Sequence, residues 1–164
     1  MSIIRGRVWR FGDDIDTDVM MPGKALRAAL PDARRMLFDA ARPGFSDLVR
    51  PGDIIVGGMR FGTGSARPVA MHLRTLGVTA ILAESMSSLF QRSTINAGLF
   101  AMTVPGIAAI CNDGDTMEID DAGGVVRVGE RELQFAPLPE MARAVVTAGG
   151  IIEQLVAGGY LPAG

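Results

Sequence analysis

Cysteine and histidine are almost absent from this chain, which contains Cys111 and His72 and no other residue of either type. A zinc site takes about three or four protein ligands, and an iron–sulfur cluster takes several thiolates. Two such side chains are too few, so we expect no zinc or cluster held by this chain alone, whereas carboxylate-bound magnesium or calcium stays open. A single cysteine forms no internal disulfide, and nothing in the sequence requires an oxidising compartment.

Long apolar runs and an excess of positive charge are also missing. No stretch approaches the roughly 18 apolar residues of a membrane-spanning helix, and segment 1–7 is too polar for the core of a signal peptide. The formal net charge of −2 provides no basic surface for nucleic acid or for an anionic membrane. We therefore expect a cytoplasmic protein that binds neither.

What the sequence does contain is an alternation of apolar runs and helical patterns that is typical of one α/β domain, expected to span residues 1–164. The spacing of the central strands and helices implies a mainly parallel sheet. The tail changes to short strands separated by glycine-rich turns, which predict an added antiparallel hairpin region. In detail, we predict strands at 3–11, 53–56, 78–82, 99–104, 116–119, 125–128 and 132–135, and helices at 33–41, from Ser65, at 85–96 and at 139–156.

An acidic loop, residues 12–18, repeats the pattern Asp-x-Asp-x-Asp. This spacing opens a calcium-binding loop, but Val19 and Ala25 stand where such a loop needs a glycine and a bidentate glutamate. The simpler interpretation is an Asx-rich turn, in which carboxylates accept hydrogen bonds from nearby backbone N–H groups. A third interpretation is that one carboxylate orients a reacting group supplied from elsewhere.

A glycine-rich turn, Gly62-Thr63-Gly64, joins a predicted buried strand to the next helix. Such a turn can hold an anion with its backbone N–H groups and the helix dipole. It is not a Walker phosphate loop, because no Lys-Ser/Thr follows the glycines, nor a dinucleotide fingerprint, because Arg67 takes the place of the third glycine. Ser65 is suited to cap the helix, with Pro68 in its first turn.

Arg67 gives this turn a more specific chemistry. A guanidinium beside free N–H donors forms a site for a planar carboxylate. A serine in the same field has its alkoxide form stabilised and can act as a base. The pKa of Ser65 has to fall by several units for this, and the chain encodes no electrophile that would share the task. The residues therefore indicate half of an active site, with a merely capping serine as the competing interpretation.

Four segments, in this order, resemble the small subunits of 3-isopropylmalate dehydratase, a swivelling domain that also occurs at the C-terminal end of aconitase and in homoaconitase. They lie between residues 5 and 105 and comprise 6–9 with 14–22, 51–58, 61–67 and 83–99. The resemblance implies a swivelling β/β/α domain. It also implies a subunit of a hydro-lyase that converts 3-isopropylmalate to 2-isopropylmalate in leucine biosynthesis.

The resemblance assigns roles to single residues. It implies that Ser65 is the catalytic base, that Arg67 grips a substrate carboxylate, and that Asp18 faces a catalytic histidine of the partner. The loop after the proline turn would line the pocket for the variable group of the substrate. Further candidates for substrate binding are therefore Lys24 and Arg27 in that loop, together with Gly64 in the glycine turn.

The resemblance also implies a cofactor and a partner, since it places a 4Fe–4S cluster in a large subunit without which this chain is inactive. The chain departs from the family motif at Ala66, Pro68 and Val69, where the family has Ser, Glu and His. These departures leave open a related substrate such as homoaconitate, methylmalate or dimethylmalate, or a non-catalytic module that binds a carboxylate or phosphate. His72 is expected on the surface of its helix.

Overall fold

A parallel half and an antiparallel half form one continuous sheet. The structure, a computed structural model, describes residues 3–164, so Met1 and Ser2 of the predicted domain lie outside the described residues. The strands in this range are β1 (Ile3–Arg10), β2 (Ile54–Gly57), β3 (Ala80–Ala83), β4 (Phe100–Thr103), β5 (Thr116–Asp120), β6 (Val125–Val128) and β7 (Arg131–Gln134). Their order in the sheet is β4-β3-β2-β1-β5-β6-β7.

Strand β1 is the junction of the two halves, because it pairs in parallel with β2 and antiparallel with β5. The parallel half continues through β3 and β4, and the antiparallel half continues through β6 and β7. Both β2 and β3 are buried at every position, as an uninterrupted apolar run predicts for a strand covered on both faces. The predicted α/β fold, with a parallel sheet and an added hairpin region, is confirmed.

The helices of the described residues are short; six lie in the connections between strands, and the last two follow β7. They are α1 (Thr17–Met20), α2 (Leu30–Arg35), α3 (Phe45–Leu48), α4 (Val69–Thr75), α5 (Ser88–Asn96), α6 (Ile107–Ile110), α7 (Glu140–Ala148) and α8 (Ile151–Ala157). A 3-10 helix spans Gly23–Arg27. Within residues 3–164, no helix combines the length and the apolar composition that a membrane crossing requires.

Two hydrophobic cores form because successive strand residues point to opposite faces of the sheet. Trp9 and Ile55 belong to the first core, which also takes buried residues from α2, α3 and α4. Val8 and Ile54 belong to the second, which includes α6 and residues of the antiparallel strands. The first core therefore lies under the connections that follow β1 and β2.

The predicted helix boundaries differ from the structure at several places, of which the closing helix and the helix at 33–41 come first. The closing helix at 139–156 is two helices, α7 and α8, which meet at Gly149–Gly150. The φ angles of these glycines are 91° and 139°, in the left-handed region that a continuous right-handed helix does not contain. The helix predicted at 33–41 is α2, which begins earlier, with Pro31 in its first turn, and ends at Arg35.

The prediction for His72 is wrong. Its side chain is packed into the protein, and the residue exposes only 9% of its surface. Burial, with the nearby positive charge of Arg34 as a second cause, lowers the pKa of His72 below its usual value. The imidazole is therefore a neutral packing group on the inner side of α4.

Candidate active site

Two loops meet beyond the carboxyl ends of β1 and β2, and the central residues of the predicted site lie on them. They are the acidic loop, residues 12–18, and the glycine loop, residues 58–68. The carboxyl ends of neighbouring parallel strands share one edge of the sheet, which places the loops side by side. Backbone hydrogen bonds then join them, as from Gly62 N to Ile15 O at 2.9 Å.

Two other carboxylates of the acidic loop, Asp14 and Asp16, have structural partners. Asp14 forms an ion pair with Arg60, and this partner holds the pKa of Asp14 below its usual value. Asp16 Oδ1 accepts a hydrogen bond from Val19 N at 2.8 Å and caps α1. The interpretation as an Asx turn is confirmed for Asp16, and the range 3–164 contains no group of three or more potential metal ligands.

Asp18 differs from these carboxylates because its partners in the glycine loop are Ser65 and Arg67, two residues predicted for the site. The hydroxyl of Ser65 donates to Asp18 Oδ1 at 3.5 Å, and Arg67 Nε donates to Ser65 Oγ at 3.4 Å. An ion pair of 2.6 Å between Arg67 Nη2 and Asp18 Oδ1 completes the arrangement. The structure thus brings together three residues predicted for the site, which we call the Ser–Asp–Arg cluster.

Arg67 is the most firmly held member of the cluster. Its side chain is 14% exposed, and its Nη1 donates to the backbone oxygen of Met21 at 2.6 Å. The side chain of Asp18 is 62% exposed. Because a guanidinium offers donors in a planar fork that matches a carboxylate, Arg67 can exchange Asp18 for the carboxylate of a ligand without losing its anchor.

Ser65 does not cap a helix, contrary to the prediction. Helix α4 begins at Val69, and its N-cap is Pro68, whose side chain makes no capping hydrogen bond. Ser65 lies before that cap, and the effect of a helix dipole is confined to the first turn. The positive charge in contact with the Ser65 hydroxyl is therefore that of Arg67, and not that of a helix N-terminus.

The hollow beside the cluster is too small for a substrate. It has a volume of about 90 Å³ and is lined by the glycine loop, Thr17 and part of α5. Pockets for small molecules typically measure about 300–1,000 Å³. A larger groove of about 940 Å³, between α4, α5 and α8, contains none of the predicted site residues. In the described residues, the hollow beside the cluster is therefore smaller than a typical pocket for a small molecule.

Lys24 and Arg27, predicted to bind substrate, lie near the cluster but do not join it. Both are exposed on the 3-10 helix. This helix begins beside Arg67, since a Cβ on Gly23 would lie 3.9 Å from Arg67 Nη1. The structure therefore places the start of the 3-10 helix beside Arg67, and the hydrogen bonds of Ser65 in the described residues include neither Lys24 nor Arg27.

Thr17 is the residue that sequence reasoning missed. It is 3% exposed, its N–H donates to Thr63 O at 2.9 Å, and its hydroxyl donates to Ser65 O at 2.6 Å. Gly64, between the two accepting residues, has a φ of 100°, and a Cβ there would lie 3.0 Å from Thr17 Oγ1. The signal in the sequence was a threonine between two aspartates, which indicates a polar loop but does not identify a partner far along the chain.

Cys111 takes no part in this chemistry. It is 2% exposed and belongs to the second core, on the other face of the sheet from α4. Burial raises the pKa of its thiol to about 11. The thiol therefore stays protonated near neutral pH and is neither a nucleophile nor a ready metal ligand.

The chain is similar to known proteins in sequence and in fold. Residues 42–106 match the family described as the aconitase C-terminal domain. A 3-isopropylmalate dehydratase small subunit from Nautilia profundicola is 39% identical over 93% of this chain and 94% of its own length. A methanogen homoaconitase small subunit from Methanothermobacter thermautotrophicus is 42% identical over 93% of this chain and 90% of its own. A crystal structure of 3-isopropylmalate dehydratase from Methanocaldococcus jannaschii is similar with a TM-score of 0.87, 30% identity and 96% coverage of both chains.

The sheet, with the cluster at the carboxyl ends of β1 and β2, defines a swivelling domain of the aconitase type. Identity of 39% over nearly the whole length is more specific than a shared fold. The chain belongs to the family of 3-isopropylmalate dehydratase small subunits. The resemblance noted in the sequence, and the fold that it implied, are confirmed.

Proposed function

We propose that this chain is the small subunit of a hydro-lyase that converts 3-isopropylmalate to 2-isopropylmalate, and that it works with a large iron–sulfur subunit. The observation that carries the proposal is the Ser–Asp–Arg cluster, which combines a hydroxyl with a carboxylate-binding guanidinium on an open surface. The relatives described above are themselves small subunits, which supports a heteromeric complex. The small hollow supports the view that a second chain completes the pocket.

Arg67 binds the substrate through a carboxylate in this mechanism. Its Nη1 stays on Met21 O and its Nε stays on Ser65 Oγ, while the ligand replaces Asp18 at Nη2. Neutralising the charge of the carboxylate makes the neighbouring C–H more acidic. Asp18, released from Arg67, becomes an acceptor for a group of the partner.

Ser65 takes the proton from the carbon next to that carboxylate. Its Oγ already accepts a hydrogen bond from Arg67 Nε at 3.4 Å, and a cation at this position favours the alkoxide form that a base requires. Loss of this proton from one carbon and of hydroxide from the adjacent carbon leaves a double bond and releases water. Addition of water in the opposite orientation gives the isomeric hydroxy-acid.

The iron–sulfur cluster is assigned to the partner because this chain has no ligand set for it. Its single cysteine is buried, and no group of three or more potential metal ligands occurs in the part of the chain that the structure describes. Bound in the large subunit, the cluster would supply a Lewis acid for the departure of hydroxide. This chain contributes the base and the carboxylate site.

The 3-10 helix beside Arg67 is the proposed wall for the variable group of the substrate. Leu26 on this helix exposes 50% of its surface, which suits an alkyl group such as isopropyl. The exposed cations Lys24 and Arg27 favour a further carboxylate, so homoaconitate is the second candidate substrate. Gly64 contributes to substrate binding through the backbone of the glycine loop.

The first test is reconstitution with the large subunit that co-purifies with the chain. The isolated chain and the complex are assayed with 3-isopropylmalate, homoaconitate, methylmalate and dimethylmalate. We expect turnover only in the complex, with the highest kcat/KM for 3-isopropylmalate. Turnover by the isolated chain would contradict the proposal that this chain forms only half of the active site. A complex that turns over none of these acids would instead favour a non-catalytic binding module.

The second test replaces the base. Ser65→Ala should lower kcat about 100- to 10,000-fold in the complex, the range over which a positioned proton-transfer group contributes. Assembly of the complex should be unchanged. Ser46→Ala, on α3 and outside both loops, is the control and should leave kcat as it is. Near-normal turnover by Ser65→Ala would show that Ser65 is not the base.

A further inference from the structure

We infer that Thr17 is a positioning residue, which holds the main chain of Ser65 at the place where its hydroxyl can act. The inference rests on the proposed function, in which Ser65 is the base. It assigns no new contact with the substrate, because Thr17 acts through the backbone of the glycine loop.

Thr17 holds the glycine loop at two points. Its N–H donates to Thr63 O at 2.9 Å, and its hydroxyl donates to Ser65 O at 2.6 Å. The residue is 3% exposed, so little water reaches these bonds and competes with them. It also begins α1, whose next residue is Asp18. One residue therefore sets the distance between the carboxylate of Asp18 and the hydroxyl of Ser65.

The other contacts of Ser65 are weak by comparison. Its hydroxyl lies 3.5 Å from Asp18 Oδ1 and 3.4 Å from Arg67 Nε, near the outer limit for a hydrogen bond. Ser65 is exposed and precedes the N-cap of α4. Side-chain packing and the backbone hydrogen bonds of the helix therefore contribute little to its position. The bond from Thr17 is the short one that ties Ser65 to the buried part of the protein.

Gly64 shows that the loop is shaped for this contact. Its φ of 100° lies in a region that side chains disfavour, and a Cβ there would lie 3.0 Å from Thr17 Oγ1. A side chain at this position would press on the hydroxyl that holds Ser65. The absence of a side chain at Gly64 therefore allows the two loops to approach each other closely.

The central experiment removes the hydroxyl and keeps the shape of the side chain. In the reconstituted complex, Thr17→Val should lower kcat about 10- to 100-fold, because a displacement of about 1 Å at a reacting group has an effect of this order. The KM should change far less, since Arg67 keeps its anchor on Met21. Thr17→Ser, which restores the hydroxyl, should recover most of kcat. An unchanged kcat in Thr17→Val would overturn the inference.

Thr94→Val is the matched control for a loss of stability. Thr94 is fully buried, and its hydroxyl donates to Phe90 O at 2.7 Å within α5. The substitution removes the same kind of bond but leaves both loops intact, so thermal stability should fall while kcat stays the same. If Thr94→Val and Thr17→Val lower kcat equally, Thr17 acts only through stability and the inference fails.

A double mutant separates this inference from the proposed function. Thr17→Val should cause little further loss of kcat when Ser65 is already alanine, because both changes remove the same contribution. A full further loss would overturn the inference by showing that Thr17 acts on another group. If Ser65→Ala abolishes turnover and Thr17→Val does not lower it, only the inference fails. If Ser65→Ala stays active, the proposed base fails.

Amide hydrogen exchange of the full chain gives a readout that does not depend on assembly or activity. Thr17→Val should increase exchange at residues 62–66 and leave α5 unchanged. Thr17→Ser should restore the slower exchange. Unchanged exchange at residues 62–66 in Thr17→Val would overturn the inference.

Discussion

Two arginine–aspartate pairs lie at opposite ends of the parallel strands. They differ in the burial of the aspartate and in the number of hydrogen bonds that its carboxylate accepts. At the amino end of β2, Asp53 is 3% exposed and accepts four hydrogen bonds. Two come from Arg7 at 3.3 and 2.7 Å, one from Trp9 Nε1 at 2.7 Å and one from Arg50 N at 2.8 Å. Because this carboxylate is buried and already holds four hydrogen bonds, it is not available to a ligand.

At the opposite end, Asp18 is 62% exposed and has one close partner, Arg67 at 2.6 Å. The hydroxyl of Ser65 is its second contact, at 3.5 Å. A buried charge that is hydrogen-bonded to its neighbours cannot leave its arginine for a ligand without a large cost in stability. A charge that is exposed and only partly satisfied can release its partner to a ligand at little cost. The comparison therefore separates a pair that serves folding from a pair that is available for function.

The largest effect is expected at the buried pair. Asp53→Asn removes the charge that Arg7 and Trp9 contact. It should lower the free energy of unfolding by about 2 kcal/mol, less than for a fully buried pair, because the side chain of Arg7 is 35% exposed. Asp18→Asn is the matched change at the exposed pair and should lower it by less than about 1 kcal/mol. Chemical denaturation of the two variants measures both values. Equal losses would contradict the distinction between the pairs.

A second prediction exchanges arginine for lysine at each pair. Arg67→Lys loses the planar fork, and kcat/KM of the complex should fall about 10- to 100-fold, mainly through KM, as expected for a lost charged hydrogen bond. Arg7→Lys should leave kcat/KM unchanged and reduce only stability. Steady-state kinetics with both variants test this. If Arg7→Lys lost as much activity as Arg67→Lys, the conclusion that only the Arg67–Asp18 pair is functional would be wrong.

The smallest effect concerns acid stability. Burial opposes ionisation of Asp53, but hydrogen bonds from Arg7 and Trp9 outweigh it and hold the pKa of Asp53 below its usual value. A lowered pKa stabilises the fold above the unfolded value of about 3.9, and this stabilisation is lost as the pH falls through the folded value. The stability difference between wild type and Asp53→Asn should therefore be constant from about pH 7 to pH 5 and shrink below about pH 4. A difference that grows on acidification would contradict the sign of this pKa shift.

The parts of the fold that sequence reasoning predicted well are those governed by local patterns. The runs that form β2 and β3 are continuous and apolar, and this is typical of strands buried on both faces. The hairpin strands alternate and are separated by glycine turns. The start of α4 was predicted too early, because the capping preference of Ser65 is local. Hydrogen bonds to the acidic loop, such as Gly62 N to Ile15 O, draw the segment out of the helix.

The fold class, the scarcity of cysteine and histidine and the Ser-x-Arg motif could all be predicted from the amino-acid sequence, because each is a matter of composition or of spacing along the chain. Three features required the folded molecule: the contact of Asp18 with Ser65 and Arg67, the hydrogen bond from Thr17 to the main chain of Ser65, and the burial of His72. These contacts join residues that are far apart in the chain, or depend on which face of a helix meets the core. Their physical cause is the parallel pairing of β1 with β2, which brings the acidic loop and the glycine loop to one edge of the sheet.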